Sequence, residues 1–290
     1  MIEKSESNLH KPSVSVLIVT YNNASTIGQC LDSLKAQTVK DIEIIVRDNA
    51  SSDSTAQIVQ RYPAELIRGE KNIGFGAAMN YLARQASGEY LFILNPDCLC
   101  PPDCLRRLLE FSRDNPGVIS PALVYPDGAS QVSARELFSY TNIVYSRRSP
   151  FYQLGLARAQ QAGYLDISRA AKVPAVSATA LFIERRLFTE IDGFDERFFM
   201  YGEDMDLCKR LANRQIDIWY LPEIKIKHIL GASASQAELR SLYYHHVSIY
   251  KYFTKHFSRK YIKNAVLLMM LTAGFTVMSI LKLLGLKRRK

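Results

Sequence analysis

The chain has 290 residues, enough for a large core in one domain or in a domain plus an appendage, and its ordinary globular composition excludes collagen-like and disordered classes. The formal charge of +9 sits in the tail: Lys251 to Lys290 holds ten of the 37 Lys and Arg residues and no acidic residue, leaving 27 basic against 28 acidic residues elsewhere. A neutral body argues against nucleic acid as partner, because phosphate-backbone binding needs charge spread on a folded face, whereas a basic terminal segment flanking an apolar stretch favours an anionic lipid surface. The five cysteines, Cys30, Cys98, Cys100, Cys104 and Cys208, are an odd, scattered set, and Met1 to Pro12 has no apolar signal core, so a reducing cytoplasm is expected. Cys98-x-Cys100-x3-Cys104 is followed by no second Cys/His pair at zinc-ligand spacing and reads as buried thiols.

Val14 to Thr20 is a β-branched run too short for a buried helix, hence a central strand. Ser25 to Gln37 places Ile27, Leu31 and Leu34 at helical spacing. Ile42 to Val46 repeats the strand signal and stops at Arg47-Asp48-Asn49, and a second helix follows from Ser52 or Asp53 with Ile58 and Val59 inward. Gly74 to Gln85 is another helix, and Tyr90 to Leu94 is a strand that ends abruptly at Asn95-Pro96-Asp97. This alternation is the rhythm of a doubly wound, Rossmann-like nucleotide-binding half. The polar ends Thr20-Tyr21-Asn22, Asp48-Asn49 and Asn95-Pro96-Asp97 then share one edge of a parallel sheet, where ligands of open α/β sheets collect. Asp97 there is well placed to hold a divalent cation.

Further on, the pattern predicts a helix from Asp103 to Phe111, a strand near Val118 and a long aperiodic stretch from Tyr125 to Gly163, of a length that is usually functional or mobile. A strand from Val173 to Ile183 and a short helix from Arg185 to Ile191, stopped by Gly193, come next. Glu203, Asp204 and Asp206 put three carboxylates within four residues among Phe198, Phe199 and Tyr201, which invites a raised pKa on one of them and general-base chemistry. Helix-start acids are the structural alternative, with the helix running Asp206 to Asn213. His228 follows a strand at Ile216 to Leu221; spacing alone does not make it a ligand, and His245 and His246 read as structural. Gly74-x-Gly76 is a weak fragment of a dinucleotide fingerprint, and neither a phosphate-loop motif nor a Gly-x-Ser-x-Gly elbow occurs.

Taken together, Val14-Ser-Val-Leu-Ile-Val-Thr20-Tyr21-Asn22, Asp48-Asn49-Ala50-Ser51-Ser52-Asp53, Asn72-Ile-Gly74-Phe-Gly76, Asn95-Pro96-Asp97, Gly193-Phe194-Asp195-Glu196, Tyr201-Gly202-Glu203-Asp204-Met-Asp206-Leu207 and His228-x-x-Gly231 resemble family 2 glycosyltransferases, in the family's order, over about residues 13 to 235. The similarity is strongest to bacterial O-antigen and cell-wall rhamnosyltransferases. That resemblance implies a glycosyltransferase-A fold and inverting transfer from a nucleoside-diphosphate sugar, with Mg²⁺ or Mn²⁺ as cofactor. It implies that Asp48 binds base or ribose, with Thr20, Asn22 and Asn49 lining the pocket and Asn72 and Gly74 in a loop near the nucleotide. Asn95 and Asp97 stand for the family's Asp-x-Asp, with Asp97 as metal-binding acid and Asn95 one charge short. Asp204, next to Glu203, matches the general base, and His228 a position that ligates metal in some relatives. Arg135 resembles an arginine of the rhamnosyl subgroup on the acceptor side, and Ser177-Ala178-Thr179 replaces a Gly-rich acceptor segment.

Asn264 to Leu281 is eighteen residues without a charge between basic flanks, short for a bilayer span. It reads as an in-plane or partly inserted helix, with a single span or a soluble docking helix as alternatives. The expected organisation is an N-terminal extension over 1–12, a catalytic domain over 13–235 and a membrane-associating helical tail over 236–290. The expected reaction moves a sugar, rhamnose from dTDP-rhamnose, onto a polyprenyl-diphosphate-linked saccharide at the cytoplasmic face of a bacterial inner membrane. An inert nucleotide-sugar-binding scaffold and a transferase using a UDP-hexose are the competing readings.

Overall fold

The computed structural model describes residues 12–144, 165, 167–229 and 238–283. The N-terminal extension up to residue 11, the end of the aperiodic stretch and Gly231 lie outside the described residues.

The first half alternates as its apolar pattern dictates: β1 (Val14–Thr20), α1 (Ile27–Lys35), β2 (Ile42–Asp48), α2 (Thr55–Val59), β3 (Glu65–Arg68), α3 (Phe75–Gln85), β4 (Tyr90–Leu94), β5 (Cys98–Leu99) and α4 (Cys104–Asp114). After β6 (Val118–Val124), the aperiodic stretch supplies β7 (Ser130–Gln131), β8 (Ala134–Arg135) and α5 (Tyr140–Val144). Then come β9 (Ala171–Lys172), β10 (Ala175–Val176), β11 (Ala180–Glu184), α6 (Arg185–Glu190), α7 (Glu203–Asn213), β12 (Ile218–His228), α8 (Glu238–His256) and α9 (Tyr261–Leu283).

The main sheet runs β3-β2-β1-β4-β11-β6-β12-β5. Strands β3, β2, β1 and β4 are mutually parallel, as are β6 and β12, and β11 is antiparallel between the two groups. Both faces are covered, as a mostly parallel sheet requires. Val14, Val16 and Ile18 of β1 enter one apolar layer with α1 and α4, while Leu17 enters the other with α3, α7 and α8.

Three differences from the sequence reading have local causes. β3 was not expected, because Glu65-Leu-Ile-Arg68 is a four-residue edge strand exposed at both ends. The stretch expected as one strand over 173–183 is β10 and β11, interrupted where Ser177 Oγ and Thr179 Oγ1 hydrogen-bond at 2.8 Å. The strand at 216–221 instead runs through Pro222 to His228, the register shifting between Leu221 and Lys225, since proline has no N–H to give the ladder.

Candidate active site

The ends of β1 and β2 are cross-linked into one polar edge. Asn49 N donates to Thr20 O at 2.8 Å, continuing the strand pairing. Asn22, at φ 55°, takes the Ser52 N–H on Oδ1 at 2.8 Å and gives its own N–H to Ser51 Oγ at 2.9 Å. Asp48 is buried and receives Ser51 N at 3.1 Å, Thr20 Oγ1 at 3.4 Å and the Ser51 hydroxyl, all on Oδ1. Asn49 Nδ2 reaches Gly74 O at 3.3 Å, and Asn72 Oδ1 accepts Gly74 N at 2.9 Å, so both amides brace the loop before α3. Gly74 sits at φ +87°, and a Cβ there would stand 2.5 Å from Phe199 O, so no other residue fits this turn without strain.

Beyond β4, the chain turns so that β5 pairs with the far end of β12, Cys98 opposite His228. The ligand atoms of Asp97, Cys98 and His228 all lie within 4.8 Å of one another, and all three residues are buried. His228 Nε2 is 3.3 Å from Asp97 Oδ1, an oxygen that is buried and makes no hydrogen bond among the described residues. Gln131 decides the imidazole tautomer. Its Nε2 donates to His228 O at 2.8 Å, which turns its Oε1 to His228 Nδ1 at 2.9 Å, so Nδ1 must be the donor. In the neutral ring, Nε2 then faces Asp97 with a lone pair, and two acceptors in a buried site call for a cation between them. The residues therefore fit a divalent metal ion: a carboxylate oxygen and an imidazole nitrogen oriented by its outer hydrogen bond. Cys98 is the weaker donor, as burial and the Asp97 charge push its thiol well above the ordinary range.

The three acids at the start of α7 have three different surroundings. Asp206 is fully buried; burial alone would raise its pKa, but His256 Nε2 at 2.8 Å, Lys255 Nζ at 2.6 Å and Arg210 Nε at 2.8 Å hold it below the ordinary value, tying α7 to α8. Glu203 is buried with Oε2 unpartnered among the described residues, and burial, then the charge of Asp204, push it up to about 8. The raised carboxyl expected in this cluster is thus Glu203. Asp204 has partners of its own: Met205 N donates to its Oδ1 at 2.8 Å and Arg135 Nη2 to its Oδ2 at 3.1 Å. Arg135, expected near the acceptor, is therefore engaged with the candidate base.

The structure gathers Thr20, Asn22, Asp48, Asn49, Asn72 and Gly74 at one edge, Asp97 and His228 at a buried pair, and Glu203 and Asp204 at a helix start. Asn95 contributes through its backbone, N to Thr179 O at 2.9 Å, and its carbonyl accepts from Cys98 N at 3.2 Å. Sequence reasoning missed Gln131 and Cys98. Cys98 adjoins Asp97 in the chain, but only the β5–β12 pairing puts it opposite His228. Gln131 is 97 residues from its partner and carried no signal.

Two solved structures share this architecture. The mannosyltransferase PcManGT from Pyrobaculum calidifontis, titled as a complex with GDP-Man and Mn²⁺, superposes with a TM-score of 0.58 at 18% identity, over 94% of this chain and 76% of its own. GalNAc-T7, titled with UDP, GalNAc and Mn²⁺, gives 0.57 at 19% identity over 75% of this chain, which spans 43% of that protein. The fold is that of the glycosyltransferase-A class. Within it, the chain belongs to glycosyl transferase family 2, whose model matches residues 15–170. It is 31% identical over 252 residues to the N-acetylglucosaminyl-diphospho-decaprenol L-rhamnosyltransferase of Mycobacterium tuberculosis, covering 81% of this chain and 82% of that one. It is 26% identical over 256 residues to the rhamnosyltransferase WbbL of Escherichia coli K12, covering 83% and 93%.

Proposed function

We propose that this transferase moves rhamnose from dTDP-rhamnose, with inversion, onto a polyprenyl-diphosphate-linked saccharide. The supporting observation is the 31% identity along four-fifths of the chain to an enzyme named for rhamnosyl transfer onto such a lipid, with both acid sites present. In this reading, Asp48 uses Oδ2, outside its three internal bonds, to receive a donor N–H or hydroxyl of the nucleoside. Thr20 and Asn22 line the pocket beside it, and Asn49 and Asn72 keep the Gly74 loop in place. Asp97 and His228 hold Mg²⁺ or Mn²⁺, which when bound supplies Lewis-acid stabilisation of the leaving diphosphate. Asp204 takes the proton of the acceptor hydroxyl as the new bond to the anomeric carbon forms and the sugar–phosphate bond breaks. A single displacement of that kind inverts configuration and needs no enzyme nucleophile.

The tail supports a membrane-bound acceptor, which this reading places at the cytoplasmic face of a bacterial inner membrane. Helix α9 is the one described helix apolar and long enough to cross a bilayer, with mean hydropathy 1.5 over Tyr261–Ile280. Yet it lies along the protein: Asn264, Leu267, Leu271 and Met278 form a buried stripe, Phe275 packs on Tyr243 and His246 of α8, and Tyr140 Oη donates to Asn264 Oδ1 at 2.8 Å. Ile262 and Met269 face outward at 82% and 64% exposure, beside the exposed Lys260 and Lys263. A helix docked lengthwise with an apolar outer face and basic flanks suits the plane of an anionic membrane surface better than a span.

Isothermal titration with dTDP-rhamnose, UDP-glucose, UDP-galactose and UDP-GlcNAc, with and without Mn²⁺, tests the donor. Binding of dTDP-rhamnose alone, strengthened by Mn²⁺, is expected; preferential binding of a UDP-hexose would replace the rhamnosyl assignment.

A further inference from the structure

One short segment joins the two halves of the site. Gln131 holds His228 through two hydrogen bonds, and Arg135, four residues on, holds Asp204. Four steps of extended chain span at most about 14 Å, so the metal-side histidine and the base are set by one strap. The strap is itself fixed, with β8 antiparallel to β10, Arg135 opposite Ala175, and Ser177 N donating to Ser133 O at 3.1 Å.

We propose that Arg135 is a positioning residue for sugar transfer, orienting the Asp204 carboxylate toward the acceptor hydroxyl and balancing its charge; this rests on Asp204 being the base. The two Asp204 oxygens are held from different elements, Oδ1 by the N–H at the start of its own helix and Oδ2 by the guanidinium from β8. That combination fixes the side-chain torsions of Asp204, which one bond would leave free. Charge around Asp204 comes from few groups. On α7, Glu203 stays largely protonated at neutral pH, and the Cys208 thiol is pushed up to about 12 by burial. Ala175 and Val176 of β10 bring no titratable group, and on α8 Lys255 and His256 are taken up by Asp206. Arg135 is thus the cation facing Asp204 among the described residues. A purely stabilising role fits poorly, because Arg135 Nε is buried without a hydrogen-bond partner among the described residues, a cost that a structural ion pair would avoid.

Full-length Arg135→Met and Arg135→Lys are compared with wild type and Asp204→Asn, using whichever of the four donors binds in the titration and a polyprenyl-diphosphate-N-acetylglucosamine acceptor. Losing the neighbouring cation raises a carboxylate pKa, so Arg135→Met should move the acidic limb of kcat/KM up by about one unit. It should also lower kcat roughly tenfold or more with donor Kd within about twofold of wild type. Arg135→Lys, which keeps the charge without the fork, should leave the limb in place and recover part of kcat. Wild-type kcat with an unmoved limb in Arg135→Met overturns the inference, as does a loss of donor affinity that matches the loss of rate. If Arg135→Met does not fold, Arg135→Lys decides, and wild-type kcat there overturns it equally. An active Asp204→Asn enzyme would instead remove the base assignment, whatever the arginine variants do.

Discussion

The polar edge at the ends of β1 and β2 and the acid pair at the start of α7 are built in opposite ways. At the edge, side chains bond to loop backbone, Asn72 to Gly74 two residues on and Asn22 to Ser52 across the ends of β1 and β2, so the loops of the proposed nucleotide pocket are braced in advance. At α7, Asp204 depends on Arg135, 69 residues away, and Glu203 carries a buried oxygen that is unpaired among the described residues. Preformed loops suit binding, where rigidity lowers the entropy cost. Partly unsatisfied acids suit proton transfer, where a perturbed environment is the working part. The Asp97–His228 pair stands between the two kinds, a buried site closed by strand pairing and oriented by a distant glutamine.

Breaking the metal-side pair should have the largest effect. Asp97→Ala is expected to cut transfer on the order of 10²-fold or more and to abolish the Mn²⁺-dependent gain in donor affinity, read by titration. Next, Gln131→Leu removes the partner that orients His228 while leaving both ligands, and should weaken Mn²⁺ binding roughly tenfold to a hundredfold. On the preformed edge, Gly74→Ala forces a methyl group against Phe199 O at a positive φ; a stability loss of about 2 kcal/mol, measured by denaturant unfolding, is expected. A pH effect separates the acids. Glu203 has a folded pKa raised to about 8 from an ordinary 4.5, so its contribution is fully present below about pH 4.5 and is lost as pH rises through about 8. Glu203→Gln should remove that fall, so that wild type loses stability between about pH 4.5 and about pH 8.5 that the variant keeps, as read by denaturant unfolding at the two pH values. An identical pH dependence in both proteins would mean Glu203 is not protonated in the native state.

Much of the first half was legible because apolar runs of five to seven residues that end in, or lead straight into, Asn, Asp or Thr encode both a strand and its polar end. Asp97 was visible as the carboxylate that stops β4. The second half was less so. Glu203, Asp204 and Asp206 look alike in sequence, and only Lys255, His256 and Arg210 around Asp206, against Arg135 at Asp204, distinguish an anchor from the proposed base. Gln131 and Arg135 lie in two-residue strands with no periodicity to reveal them. The tail was legible in composition but not in placement. Its apolarity is the same for a spanning and a docked helix, and the stripe of Asn264, Leu267, Leu271 and Met278 acquires meaning only against α8 and α5.

The separation of a binding edge from a catalytic acid is tested most directly by one paired measurement on Asp204→Asn: donor affinity by calorimetry and transfer rate, in the same preparation. Donor Kd within about twofold of wild type, with transfer reduced roughly 10²- to 10⁴-fold, is the expected result. Transfer within about tenfold of wild type would contradict it, and the proton would then have to leave through another group.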